Sequence, residues 1–185
     1  MTIYAQIIGG CWLAFLAVWI VAMLTGGGRT QRYAPSAGPV RLLLVVTIAL
    51  GAVFGRRMTA YSFASFTEGV AASGCALCIL GLAFAVWARV ALGRNWGMPM
   101  TERVEPELIV SGPYRFIRHP IYSGLILAMI GTVLVTNVLG VVLVVLLGGS
   151  FVYSATVEER NLLAAFPTEY PAYRQRTKML VPFLL

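Results

Sequence analysis

The chain has 185 residues, of which 59% are hydrophobic and only 11% charged. An ordinary soluble domain is about 45–50% apolar and about 25% charged, and a chain this short has too little interior to hide the excess from water. Lipid has to be the solvent for much of it. The net charge of +7 points to an anionic membrane leaflet rather than nucleic acid, because the basic residues stand in short clusters between apolar runs and not along one polar face.

Five apolar stretches follow one another. The first, Ile3–Leu24, has 22 residues and no charge, enough to cross the roughly 30 Å hydrocarbon core. It lacks the basic start and small-residue cleavage site of a secretory signal, so it is expected to stay as a span. A polar loop follows, with Arg29, Arg32, Pro35 and Pro39. The second stretch, Leu42–Gly55, is short for a span unless it tilts or gains length from snorkelling Arg41, Arg56 and Arg57. The third runs from about Phe66 to Leu92 and contains one acid, Glu68, near enough to its start to be interfacial. Cys11, Cys75 and Cys78 all lie inside these runs. With no second pair and no histidine nearby, Cys75 and Cys78 are expected to be small apolar residues on a buried helix.

From residue 93 to 120 the chain is polar. The fourth stretch, Ile121–Val135 (15 residues), and the fifth, Val138–Val157 (20 residues), are then separated only by Thr136 and Asn137. Such a break predicts a tight helical hairpin. At about 1.5 Å per residue the fourth helix spans only about 22 Å. It is expected to begin below the headgroup level, where a pocket has room to form.

Placing the N-terminus outside puts 12 of the 14 basic residues in inner segments and leaves only Arg56 and Arg57 outside. The positive-inside rule therefore predicts an outer N-terminus and a cytoplasmic C-terminus. Segments 93–120 and 158–185 then meet on the cytoplasmic side, carrying six of the seven acids and the one histidine, His119. The expected architecture is an all-α integral membrane protein of about five transmembrane helices with a cytoplasmic C-terminal helix. Residues 1–92 are expected to form its N-terminal helices, and 93–185 the region that holds its chemistry.

Three constellations carry the chemistry. In Ser111-Gly112-Pro113-Tyr114-Arg115 and the following Arg118-His119-Pro120-Ile121-Tyr122-Ser123-Gly124, Gly112-Pro113 forces a turn, and Pro120 suits the first position of the fourth helix. His119 then stands at the helix start beside unpaired backbone N–H groups, with Tyr122 on roughly the same face. Interfacial anchoring accounts for the arginines and tyrosines by type, but not for their arrangement. The second is Glu158-Glu159-Arg160-Asn161-Leu162, two acids expected at a helix C-terminus, where they oppose the macrodipole. The third places Tyr170, Tyr173 and Arg176 on one stripe of an amphipathic interfacial helix. One histidine without a cluster makes no metal site.

Together these stretches resemble the integral membrane methyltransferases typified by isoprenylcysteine carboxyl methyltransferase, and more distantly the phospholipid N-methyltransferases. The resemblance rests on Leu92-Gly93-Arg94-Asn95-Trp96, on the Gly112-Pro113-Tyr114 to Gly124 run, and on Glu158-Glu159-x-x-Leu162 followed by Tyr170, Tyr173, Arg176 and Val181-Pro182. It covers residues 90–185. It implies S-adenosylmethionine as methyl donor, held by Trp96, Tyr114, Arg118, His119, Pro120, Tyr122, Gly124, Glu158 and Glu159. His119 and Tyr122 would hydrogen-bond and stack, and one of the glutamates would bind the ammonium. Arg176 and Glu159 are the implied catalytic residues, with Arg176 orienting an acceptor carboxylate. The acceptor is expected to be a lipophilic small molecule entering sideways from the bilayer, most directly an isoprenylcysteine-type carboxylate, with a phospholipid amine as the alternative. Gly97 after Trp96 and Pro167 after Phe166 depart from the family pattern without removing an implied ligand.

The chemistry suits these residues. Methyl transfer is an in-line displacement needing alignment and dryness, and a carboxylate acceptor is already ionised at neutral pH. Two other readings compete: an NADPH-dependent membrane reductase of the sterol-reductase type, which needs more basic contacts than the short tail offers, and a non-catalytic membrane scaffold.

Overall fold

The computed structural model describes residues 3–25, 30–33, 67–96, 101–103, 107–136 and 140–181. Among these, three helices are long and apolar enough to cross a membrane: α1 (Ile3–Thr25), α2 (Glu68–Leu92) and α4 (Gly140–Ala165). A shorter apolar helix, α3 (Pro120–Val135), lies between α2 and α4, and α5 (Glu169–Arg176) follows. Large apolar side chains face outward, with Leu13 69%, Val90 70% and Val145 66% exposed. Only a lipid environment makes such a surface favourable. The second apolar stretch, Leu42–Gly55, lies outside the described residues.

Each helix end has a local cause. Thr67 caps α2 by accepting the Val70 N–H at 3.3 Å, and Glu68 in the first turn complements the positive end of the helix. Glu68 thus stands at the very start of the helix, as its place in the apolar run predicts. Gly93 ends α2 with φ 53°, a conformation that costs glycine little. α4 continues to Ala165, past the Val157 where the apolar run stops. Leu162, Leu163, Ala164 and Ala165 are good helix formers, and hydropathy marks contact with lipid rather than the end of helical backbone. Glu158 and Glu159 thus sit inside the helix, away from the terminus where they were expected to oppose the dipole.

α2 and α3 cross at unusually close range because both present small residues. A Cβ on Gly81 would stand 2.5 Å from the Ala128 nitrogen, and one on Gly124 would stand 2.6 Å from the Gly81 oxygen. Cys78, Ala85 and Ala128 fill the contact at 0% exposure, the small-residue packing by which membrane helices associate. α1 runs parallel to α2, with the Cys75 Sγ 3.6 Å from the Tyr4 oxygen at one end and Arg89 Nη2 donating to the Ala22 oxygen at 3.0 Å at the other. Trp12 Nε1 donates to Thr132 Oγ1 at 2.9 Å and ties α1 to α3. On the far side of α3, Phe151 and Ala155 of α4 pack with Tyr122, Leu125 and Met129.

The all-helical expectation holds, with one small addition. Thr30–Tyr33 (β1) pairs antiparallel with Thr101–Arg103 (β2), Thr30 opposite Arg103 and Tyr33 opposite Thr101. The C-terminal ends of α1 and α2, this ribbon, the start of α3, the end of α4 and α5 gather at one end of the bundle. That end carries the site.

Candidate functional site

The site is built on a clipped loop. Ser111 is extended, Gly112 takes φ 60°, and Gly112–Arg115 form a 3-10 turn that buries Pro113 and Tyr114. The next residues run beside the segment after α5. Arg118 N donates to the Lys178 oxygen at 2.8 Å, His119 N to the Met179 oxygen at 3.0 Å, and Ser123 Oγ to the Leu180 oxygen at 2.5 Å. His119 is the N-cap residue of α3, and Pro120 opens the helix, needing no N–H partner there.

This loop delivers a guanidinium and an imidazole to the glutamate pair on α4. Arg118 Nε donates to Glu159 Oε1 at 2.6 Å, while its Nη1 donates to the Thr177 oxygen at 2.6 Å. His119 Nδ1 stands 3.5 Å from Glu158 Oε2, and its Nε2 stands 3.5 Å from Glu159 Oε1. Tyr122 donates its hydroxyl to Glu158 Oε1 at 2.6 Å. The rings of His119, Tyr122 and Phe151 stack in a row, with centroids 5.7 and 5.0 Å apart. Arg174 of α5 adds a contact to Glu159 Oε2 at 3.5 Å. His119 and Glu159 are 6% and 8% exposed, so little water screens these charges.

Electrostatics follow from that burial. Burial alone would lower the His119 pKa, but the carboxylates of Glu158 and Glu159 outweigh it and raise the pKa above its ordinary value. Tyr173, packed under the site, donates its hydroxyl to the Tyr114 oxygen at 2.7 Å, and burial pushes its pKa up to about 12.

The remaining residues singled out from sequence fall in three places. Tyr114 is buried beneath the loop, and it is its backbone oxygen that takes part in the Tyr173 bond. Trp96 packs edge-on to Trp19 at 5.6 Å and under the Arg89 guanidinium at 4.7 Å, at the α1–α2 end. The missing side chain of Gly124 faces α2. Arg176 is exposed, lies over Tyr173 at 5.8 Å, and lines a cleft of about 440 Å³ with Glu107, Leu108, Val110, Phe166, Glu169 and Tyr173. Glu159 and Arg118 line a different cleft of about 330 Å³, with Thr156, Arg160, Leu163, Arg174 and Met179.

Three contributors were not read from sequence. Phe151 lies two helical turns before Glu158, a spacing that puts both on one face and was available as a signal. Arg174 and the carbonyls of Thr177–Leu180 had none, because backbone pairing across the fold leaves no local pattern.

The sequence model of the phospholipid methyltransferase family matches residues 70–169. The chain belongs to this family. The match begins some way before the motifs, so the family relation takes in α2 as well as the α3–α4 hairpin. Among relatives, the cobalt-zinc-cadmium resistance protein CzcN of Cupriavidus metallidurans is 35% identical over 96 residues, 50% of this chain and 44% of that protein. The protein-S-isoprenylcysteine O-methyltransferase of Saccharomyces cerevisiae is 30% identical over 128 residues, 67% of this chain and 54% of that one. The chain thus spans about half the length of these relatives. A solved structure of the eukaryotic intramembrane Ras methyltransferase, isoprenylcysteine carboxyl methyltransferase, superposes with a TM-score of 0.59 over 98% of this chain and 68% of that one, at 22% identity. The two share a membrane fold, and the chain is an integral membrane protein.

Proposed function

We propose that the chain transfers a methyl group from S-adenosylmethionine to a lipophilic acceptor, most directly a carboxylate of the isoprenylcysteine kind. The observation that carries the reading is His119 standing 3.5 Å from both Glu158 and Glu159. A buried histidine, arginine and glutamate beside a second, half-buried glutamate are a poor way to gain stability, since apolar residues of similar volume serve as well or better. Such clusters mark functional sites.

The residues fit the methyl donor chemically. It presents an ammonium, a sulfonium and a carboxylate. The site offers two glutamates, the guanidiniums of Arg118 and Arg174, and two buried polar atoms that have no hydrogen-bond partner among the described residues, His119 Nε2 and the Tyr170 hydroxyl. Its cleft of about 330 Å³ falls within the range of small-molecule sites. When bound, the cofactor supplies an electrophilic methyl group. Glu158 and Glu159 hold its ammonium, Arg118, His119 and Tyr122 fix the two glutamates and offer a stacking face, and Pro120 and Tyr114 set the loop that carries them. Gly124 acts by letting α3 approach α2, and Trp96 acts from the α1–α2 end, where it packs against Trp19 and Arg89. Arg176, on the adjacent cleft, orients the acceptor carboxylate. No general base is required for such an acceptor, and alignment in a dry site is worth about 7–11 kcal/mol.

In this reading residues 93–185 form the catalytic region and 1–92 its scaffold, with the site on the cytoplasmic face and the N-terminus outside. The clustering of basic residues supports that orientation, and the shortness of α3 supports lateral entry of the acceptor.

Calorimetric titration of the purified protein with S-adenosylhomocysteine tests the donor. Binding is expected, weakened at least about tenfold in His119→Ala and Glu158→Ala, the order of one or two charge-assisted hydrogen bonds. Methylation of an S-prenylated cysteine analogue, and not of phosphatidylethanolamine, is expected for the acceptor. Tight NADPH binding with none of the nucleoside would overturn the reading.

A further inference from the structure

The cleft beside Glu159 is basic. Three of its lining side chains, Arg118, Arg160 and Arg174, are guanidiniums, and Glu159 is its single acid. That carboxylate is already engaged, by Arg118 at 2.6 Å and by His119 and Arg174 at 3.5 Å. Arg160 is exposed and makes no ion pair among the described residues. The Arg174 side chain is 59% exposed. Positive charge is therefore in excess, and it stands at the rim.

The course of α4 says what this rim adjoins. At about 100° per residue, Val145, Val152, Thr156, Arg160 and Leu163 fall on one stripe of the helix. Val145 and Val152 are 66% and 41% exposed, as the outer surface of a membrane helix is. The stripe turns hydroxylic at Thr156 and cationic at Arg160, on either side of Val157, where the apolar run ends. Glu158 points to the opposite side of α4, where it meets Tyr122 and His119, and none of these three lines the cleft. An apolar lane that ends in paired guanidiniums matches an anionic phospholipid, with chains in hydrocarbon and a phosphate at its edge. The planar fork of arginine suits phosphate oxygens in particular.

We infer that Arg160 and Arg174, at the rim of this cleft, bind the headgroup phosphate of an anionic bilayer phospholipid whose acyl chains lie along the outer stripe of α4. The lipid is a bound partner and not the methyl acceptor, whose proposed cleft is the one lined by Arg176. The phosphate takes the guanidinium rim and leaves the glutamate pair to the donor. The inference goes beyond methyl transfer and does not depend on it.

Native mass spectrometry of the full-length protein in neutral detergent tests it. Phosphatidylglycerol, phosphatidylcholine and glycerol phosphate are titrated separately, with no nucleoside present. Phosphatidylglycerol is expected to bind as a single molecule per chain, more tightly than phosphatidylcholine, whose choline cancels the charge. Arg160→Gln should weaken that binding about tenfold, the worth of a charge-assisted hydrogen bond. Arg115→Gln removes the same charge from an exposed position outside the cleft and should weaken it about twofold or less. Equal losses in the two variants would assign the binding to diffuse surface charge and overturn the inference. Glycerol phosphate binding as tightly as the lipid would do the same, since the α4 stripe would then add nothing, as would equal binding of phosphatidylcholine or no bound phosphatidylglycerol. Any of these leaves the methyl-donor reading standing, and a failure of S-adenosylhomocysteine to bind leaves the lipid site standing.

Discussion

Glu159 accepts from Arg118 Nε at 2.6 Å, and both side chains are 9% exposed. Replacing Glu159 by alanine leaves a buried guanidinium without its counter-charge, which costs about 3–5 kcal/mol. Glu158 is less enclosed, with a side chain 27% exposed, and its loss is expected to cost about 1–3 kcal/mol through the Tyr122 and His119 contacts. Thermal unfolding in detergent should rank Glu159→Ala well below Glu158→Ala, and the reverse order would contradict the burial described. His119 gives a pH dependence. Its pKa is raised in the folded protein, so protonation favours the native state. Its stabilising contribution is complete below about pH 6.5, the ordinary histidine value, and fades as pH climbs through the raised value. The melting temperature should fall over that rise, and His119→Gln should flatten the curve. Residue types and their clustering at one end were legible in sequence. Their pairing was not, because 41 positions separate Arg118 from Glu159 and no local rule joins them.

The crossing of α2 and α3 decides whether the elements that hold these residues stay in register. At Gly81 a new Cβ meets backbone atoms of Ala128 and Gly124 at 2.5 Å, and backbone cannot step aside. Gly81→Ala should destabilise by about 1–3 kcal/mol by overpacking, read as a lower melting temperature. Gly148→Ala is the control. Nothing lies within 4 Å of a Cβ at Gly148, so alanine should be neutral or better there by its helix propensity. The helices themselves were plain from long apolar runs. What the runs misjudged was the end of α4, since lipid contact stops at the interface while backbone hydrogen bonding does not. Gly124 was read from family likeness as a cofactor ligand. Its surroundings give it a packing role, a distinction only the facing helix reveals.

The molecule as a whole is closed by its C-terminal segment. Carbonyls of Thr177, Lys178, Met179 and Leu180 receive the Arg118 side chain, the Arg118 and His119 N–H groups and the Ser123 hydroxyl. Removing residues 177–185 leaves the transmembrane helices their own packing but strips the loop of these acceptors. The truncated protein is expected to remain membrane-inserted and helical by circular dichroism, while affinity for S-adenosylhomocysteine drops by about tenfold or more, as several hydrogen bonds that position Arg118 and His119 are lost together. Retained affinity would show that the clip is dispensable.

Sequence alone determined that the chain lives in a bilayer, where its main helices lie and which end holds its polar chemistry. Each of those follows from local composition, because a span must satisfy its own backbone and shed its charges. Tertiary structure alone decided that His119 and Arg118 meet the two glutamates, that Arg174 joins them, and that Trp96 and Arg176 face other neighbours. Those depend on how closely glycine-bearing helices can approach and on strand-like pairing between distant segments, and both are properties of surfaces brought together, absent from either segment read by itself.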